Sequence, residues 1–157
     1  LPCTLPVDEL IRQPIEAAGR SFTFTGVSVG NPHCVLFRPA NESWSREDLL
    51  ALGPALEHHA IFPKRTNVQL AVPTGAQEMF ILIWERGAGE TQASGSSSCA
   101  AASAAVRLGL VKSPVTVKMP GGTLNIEVTQ DFHLTMRGPV AEVARGTLSP
   151  SYVRSLK

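Results

Sequence analysis

The sequence predicts an α+β domain: a curled, mostly antiparallel sheet wrapped around one buried helix of small residues at about 98–108. Three observations lead there. Short runs rich in β-branched and aromatic residues dominate the chain, and the later runs are joined by turns so short that neighbours pair antiparallel. The stretch Ser98 to Leu108 is Ala, Ser, Val, Cys and Leu almost all round, and a helix without a polar face is covered on every side. Of the 157 residues, 43% are apolar and 17% charged, which is enough for a core and too apolar for a disordered chain. This pattern is read as α+β rather than as a βαβ layer.

Taken in order, Ser21 to Val29 alternates aromatic or β-branched residues with small polar ones, the pattern of a half-buried strand. After Gly30-Asn31-Pro32, His33 to Phe37 continues or pairs with it. Ser45 is a fitting N-cap for a helix over Arg46 to His58, with Asp48 three residues on to complete a capping box. Leu49, Leu52 and Leu56 make that helix amphipathic, and Pro54 is expected to kink or limit it. Strands are expected at Thr66–Val72 and Glu78–Glu85. The small-residue helix follows, closed by Gly109 as C-cap. Four strands complete the series, at Val115–Met119, Thr123–Thr129, Phe132–Met136 and Val140–Val143, with turns at Pro120-Gly121-Gly122 and Gln130-Asp131.

Several function classes have no support. Fourteen Lys and Arg against thirteen Asp and Glu give a net charge of +1, and the basic residues are scattered, so neither nucleic acid nor an anionic membrane is an expected partner. The nearly uncharged stretch Thr91 to Val106 is too polar and short to span a bilayer. Leu1 to Arg12 lacks the apolar core of a signal peptide. Cys3, Cys34 and Cys99 form no CxxC pair, which argues against a disulfide framework or a zinc site and for a reducing compartment. A leucine at position 1 suggests a piece of a longer chain.

Chemistry is concentrated in Glu85 to Ala100, where a strand end, a glycine loop and a serine run lead into the small-residue helix. Unpaired N–H groups and the positive end of the helix dipole suit a carboxylate or phosphate, and Gly95 permits close backbone approach. The plainer reading, that Ser96 to Ser98 only cap the helix, is equally open at this point. There is no Walker A loop and no GxGxxG after a βαβ strand. Asn31 and His33 flank a turn, and Asn67 opens a strand; alone, each has an ordinary structural reading.

Together the segments are more specific. Gly30-Asn31-Pro32-His33, Phe62-Pro63-Lys64-Arg65-Thr66-Asn67-Val68 and Trp84-Glu85-Arg86-Gly87-Ala88-Gly89-Glu90-Thr91, in this order and spacing, closely resemble diaminopimelate epimerase. So does the closing Met136-Arg137-Gly138-Pro139 segment through Gly146. The resemblance runs from about Ser21 to Leu148 and covers the second half of the family's polypeptide. The first half, with its Asn-Gly-x-x-Arg-Cys segment, has no counterpart. The chain is thus expected to be a single domain over 1–157 whose partner is that missing N-terminal domain.

The resemblance implies a pseudo-symmetric fold of two such domains and inversion of an amino acid's α-carbon without pyridoxal phosphate, metal or any other cofactor. Two cysteines, one per domain, would face the α-carbon from opposite sides. It further implies that Asn31 and Asn67 contact the distal end of a diaminopimelate-like substrate. Glu85 and Arg86 would hold its amino and carboxylate groups, His33 would lie near the reacting centre, and the Gly95 and Ser96 N–H groups would receive the α-carboxylate. A cytoplasmic setting in lysine biosynthesis follows from the same likeness, and a homodimer is left open.

One departure bears on the chemistry. The family's catalytic cysteine position is Ser94 here, and Cys99 matches a second, structural cysteine. A hydroxyl is far harder to ionise than a thiol with a pKa of about 8.5. Ser94 can donate a proton but is a poor base. Ser97 and Ser98 depart as well, which favours natural divergence over a single engineered substitution. The readings carried forward are an epimerase domain, inactive alone; a racemase or dehydratase using one cysteine of the other half; and a non-catalytic amino-acid-binding protein. Cys99 is expected to be buried and inert.

Overall fold

The computed structural model describes residues 2–156. In chain order the elements are β1 (Gln13–Ala17), β2 (Arg20–Ser28), β3 (Pro32–Phe37), α1 (Arg46–Glu57), β4 (Asn67–Gly75), β5 (Glu78–Glu85), β6 (Gly89–Thr91), α2 (Gly95–Arg107), β7 (Val115–Met119), β8 (Gly122–Val128), β9 (Leu134–Arg137) and α3 (Pro150–Ser155). All strands belong to one large sheet in the order β1-β2-β3-β4-β5-β7-β8-β9, with β6 folded back on β5. Most pairs are antiparallel. Two are parallel, β3 with β4 and β5 with β7.

Strands β3 to β5 are buried on both faces, so their side chains sort by period two into two cores. Leu36, Val68, Leu70 and Leu82 point to one face and pack on Leu49, Leu52 and Leu56 of α1. Each of those α1 leucines is fully buried, contributing about 1.5–3 kcal/mol. Val35, Ala71, Ile81 and Ile83 point to the other face and meet Ala101, Ala102, Ala104 and Ala105 of α2, together with Val115, Val117 and Ile126. Alanines suit that helix because seven strands, β2 to β5 and β7 to β9, crowd against it. On the opposite face, a Cβ added to Gly53 would lie 2.5 Å from the Trp84 ring, so α1 needs a glycine where it presses on β5.

The structure alters several sequence expectations. The parallel pairs are crossovers through α1 and α2, so βαβ connections are present within the mostly antiparallel sheet. Helix α2 begins at Gly95 rather than Ser98, because Ser94 caps it: the Ser94 side chain accepts from Ser97 N, and Ser98 N bonds the Ser94 carbonyl. Nor is α2 covered on every side. Ser96, Cys99, Ser103 and Val106 form a half-open stripe, since the sheet has separate edges at β1 and β9 and does not close around the helix. Cys99 is accordingly half-buried, not buried. Pro54 does not end α1, which runs on to Glu57. The strand expected at Val140–Val143 does not form; residues 138–149 lack regular structure, with Val140 98% and Val143 96% exposed. Strands β1 and β6 and helix α3 were not anticipated. Among the described residues, no helix is long and apolar enough to cross a membrane.

Candidate functional site

Register brings the sequence-predicted residues to one end of the sheet. His33, the second residue of β3, sits opposite Asn67, which opens the parallel β4. Because β5 runs antiparallel to β4, with Trp84 opposite Val68, the end of β5 carries Glu85 and Arg86 to that same end. His33, Asn67 and Glu85 share the parity of Val35, Ala71 and Ile83 and therefore lie on the α2 face. Helix α2 starts there, tied to β4 by the Gln69 amide, which donates to Ser97 Oγ at 3.0 Å.

Asn67 clamps three segments. Its Oδ1 accepts from Arg86 N at 2.9 Å and its Nδ2 donates to the Pro32 carbonyl at 2.8 Å. The loop after Arg86 turns through Gly87 and Gly89, whose φ values of 80° and 82° lie in the left-handed region that favours glycine. Arg86 is exposed, with Nη1 donating to the Lys64 carbonyl at 3.0 Å. The Glu85 side chain is half-buried and makes no hydrogen bond among the described residues. Asn31, in the turn before β3, meets the His33 ring, Oδ1 to Nε2, at 3.0 Å.

At the helix start, the Ser94 hydroxyl accepts from Ser97 N at 3.5 Å and the Ser94 carbonyl accepts from Ser98 Oγ at 2.9 Å. The N–H groups of Gly95 and Ser96 precede the first intrahelical bonds, so they remain available to an acceptor. Gly95 is hemmed in by β9, where an added Cβ would stand 3.0 Å from Met136 Sδ. The helix start has two backbone donors free for an anion, and the end of β5 presents a carboxylate, Glu85, followed by the exposed guanidinium of Arg86. His33 is fully buried, and its pKa is lowered to about 4. Burial is the main cause and the Arg86 charge adds to it, against an opposing effect of the Gln69 side chain. It is a neutral imidazole at physiological pH. No cluster of three or more His, Cys, Asp or Glu side chains able to hold a metal occurs among the described residues.

Against known proteins, the model of the family described as diaminopimelate epimerase matches residues 25–143. The chain belongs to the diaminopimelate epimerase family. It is 41% identical over 148 residues to the diaminopimelate epimerase of Desulfitobacterium hafniense, covering 94% of this chain and 51% of that protein. It is 43% identical over 150 residues to that of a Synechococcus strain, covering 94% and 53% respectively. The chain thus spans about half the length of these curated relatives. A solved structure of a Bacillus anthracis phenazine biosynthesis protein of the PhzF family matches with TM-score 0.50 at 13% identity, over 73% of this chain and 38% of that one. This likeness extends to the fold alone.

Two residues that support the site escaped the sequence reading. Glu57, only 3% exposed, accepts from Trp84 Nε1 at 2.8 Å and from Gly87 N at 2.9 Å, with Arg65 Nη1 at 3.7 Å. It anchors the loop that follows Glu85 and Arg86 through Gly87 N. Burial alone would push its carboxyl up, but the indole, the Gly87 N–H, His58 and Arg65 outweigh that and hold it below the usual carboxylate range. A readable signal existed, since an acid in the last turn of a helix opposes the dipole and needs a partner. Gln69, fully buried, is the second. Its signal was a polar residue inside an otherwise apolar strand.

Proposed function

We propose that this chain supplies one half of the active site of a cofactor-independent epimerase that interconverts LL- and meso-diaminopimelate, a lysine precursor, and that it needs a second domain to act. The observation that carries the reading is the pair of open N–H donors at Gly95 and Ser96, at the start of a helix tied to β4 through Gln69 and Ser97, in a chain of this family. The α-carboxylate binds the helix start and Arg86, the ammonium group binds Glu85, and Asn31 and Asn67 face the distal end. Holding the carboxylate on fixed donors stabilises the carbanion that forms when the α-proton leaves. His33 serves the reacting centre as an acid–base group. A base on the second domain removes the proton, and Ser94 assists from the opposite face as a donor. The cytoplasm is the setting such a biosynthetic step implies.

The Ser94 cap favours a second version of this chemistry. A side chain held to Ser97 N is poorly placed to act as a base, so a lone cysteine on the other domain removes the α-proton and the electron pair left on the α-carbon expels a β-leaving group, as in a dehydratase, with no proton required from the Ser94 face. The segment after β9 supports the two-domain requirement. Val140, Val143 and Leu148 expose apolar surface there that a second domain, or a second copy of the chain, would cover.

Binding by the chain alone is weak. A carboxylate at a helix start contributes roughly 0.3–1 kcal/mol and a charge-assisted Arg86 contact about 1.5–3 kcal/mol, which together correspond to an affinity between about 1 mM and some tens of millimolar. Titration with diaminopimelate and with sulfate, following backbone amide shifts, tests the assignment. Shifts at Gly95 to Ser98 that disappear in Arg86→Ala are expected; shifts elsewhere only, or unchanged in Arg86→Ala, refute it. The chain alone should show no α-proton exchange in deuterated water, and exchange should appear once the second half is supplied.

A further inference from the structure

We propose that Gln69 is the positioning residue of His33: its side-chain carbonyl accepts the His33 Nδ1–H, which leaves the Nε2 lone pair turned toward the site. The inference rests on the reading of His33 as an acid–base group.

Two buried side-chain atoms on neighbouring strands lack partners in this structure, His33 Nδ1 and Gln69 Oε1. Both residues are fully buried. They lie on the α2 face of neighbouring parallel strands, Gln69 being two positions beyond Asn67, the register partner of His33. The Gln69 side chain works against burial and raises the His33 pKa, the direction expected of an acceptor near the ring. Its other end is fixed, because Nε2 donates to Ser97 Oγ at 3.0 Å. With the nitrogen turned to the helix, the carbonyl oxygen is the end left to face the ring.

A neutral imidazole carries one proton. Placed on Nε2, it would satisfy Asn31 Oδ1 but leave Nδ1 and Gln69 Oε1 as two sealed acceptors with no hydrogen between them. Placed on Nδ1, it serves both once the Gln69 oxygen closes on the ring, from which it is unbonded as it stands. Asn31 accommodates this at no loss. Its amide has no other side-chain partner among the described residues, and a half-turn presents Nδ2–H to Nε2 across the same 3.0 Å. The tautomer of an active-site histidine is set by the hydrogen bond its other nitrogen makes. Here that bond ties the ring to the first turn of α2, the element that carries the anion-binding N–H groups. Gln69 thereby keeps the acid–base group and the carboxylate pocket in one fixed relation.

The test is 15N NMR of the chain labelled at histidine, near neutral pH, with the His33 resonances identified by their loss in His33→Asn. The expected result is a protonated Nδ1 and an unprotonated Nε2. In Gln69→Leu, which fills the same space without an acceptor, that preference is lost; in Gln69→Glu, which keeps one, it is retained. A protonated Nε2 in the wild-type chain overturns the proposal with no variant needed, as does an unchanged Nδ1–H tautomer in Gln69→Leu. The readout requires neither substrate nor turnover. A failed epimerase assay with the Nδ1–H tautomer intact therefore counts against the proposed function, and the wrong tautomer counts against the role of Gln69.

Discussion

Replacing Glu57 with Gln tests how the loop bearing Glu85 and Arg86 is held. The carboxylate accepts from the Trp84 indole at 2.8 Å and from Gly87 N at 2.9 Å. A glutamine of the same shape keeps one oxygen and turns an NH2 group against the other donor. One charge-assisted bond, worth about 1.5–3 kcal/mol, is lost and the remaining one becomes neutral. Allowing for relief from burying a charge, the expected destabilisation at pH 7 is about 2–3 kcal/mol, or about 4–12 °C in Tm for a chain of this length. The effect should depend on pH in a defined direction. The folded-state pKa of Glu57 is lowered, so its contribution is fully present above the unfolded value of about 4.3 and is lost as pH falls through the folded value. Urea unfolding of both proteins at pH 7 and in steps below pH 4.3 should show the gap narrowing, because Gln does not titrate. A gap below about 0.5 kcal/mol at pH 7, the size of an ordinary surface substitution, or a gap that persists in acid, would show that the carboxylate does not anchor the loop.

Other outcomes follow from the same geometry. His33 should titrate near pH 4 instead of 6.5; since the unfolded chain binds that proton first, stability should fall by roughly 3 kcal/mol as pH drops through this window, and an NMR midpoint near 6.5 would contradict the burial described. Gly53→Ala drives a methyl to 2.5 Å from the Trp84 ring and should destabilise by about 1–3 kcal/mol, with a change in tryptophan fluorescence; an unaltered melting curve would show that α1 lifts freely from β5. In native protein, a thiol reagent should modify the half-buried Cys3 and Cys99 well ahead of Cys34, which is fully buried and whose thiol burial pushes up; equal rates at all three would refute that order.

Strands β5 and β7 and helix α1 with its capping box were legible from local sequence, because these depend on neighbours within a few residues: alternation along a strand, a serine three residues before an aspartate. The residues of the candidate site were legible for another reason, since Asn31, His33, Asn67, Glu85 and Arg86 occur in a spacing that resembles one family. What joins them was not legible. Register decides that His33 lies opposite Asn67 and that Glu57, distant in sequence, reaches Gly87; hydrogen bonds of that range leave no periodic trace. Helix α2 illustrates both sides. Its small residues announced close packing, but whether every face is covered depends on sheet closure, and the gap between β1 and β9 leaves Cys99 half-open. The strand expected at Val140–Val143 fails to form for a related reason, because a strand needs a neighbour for its backbone hydrogen bonds as well as a suitable sequence, and beyond β9 the sheet supplies none.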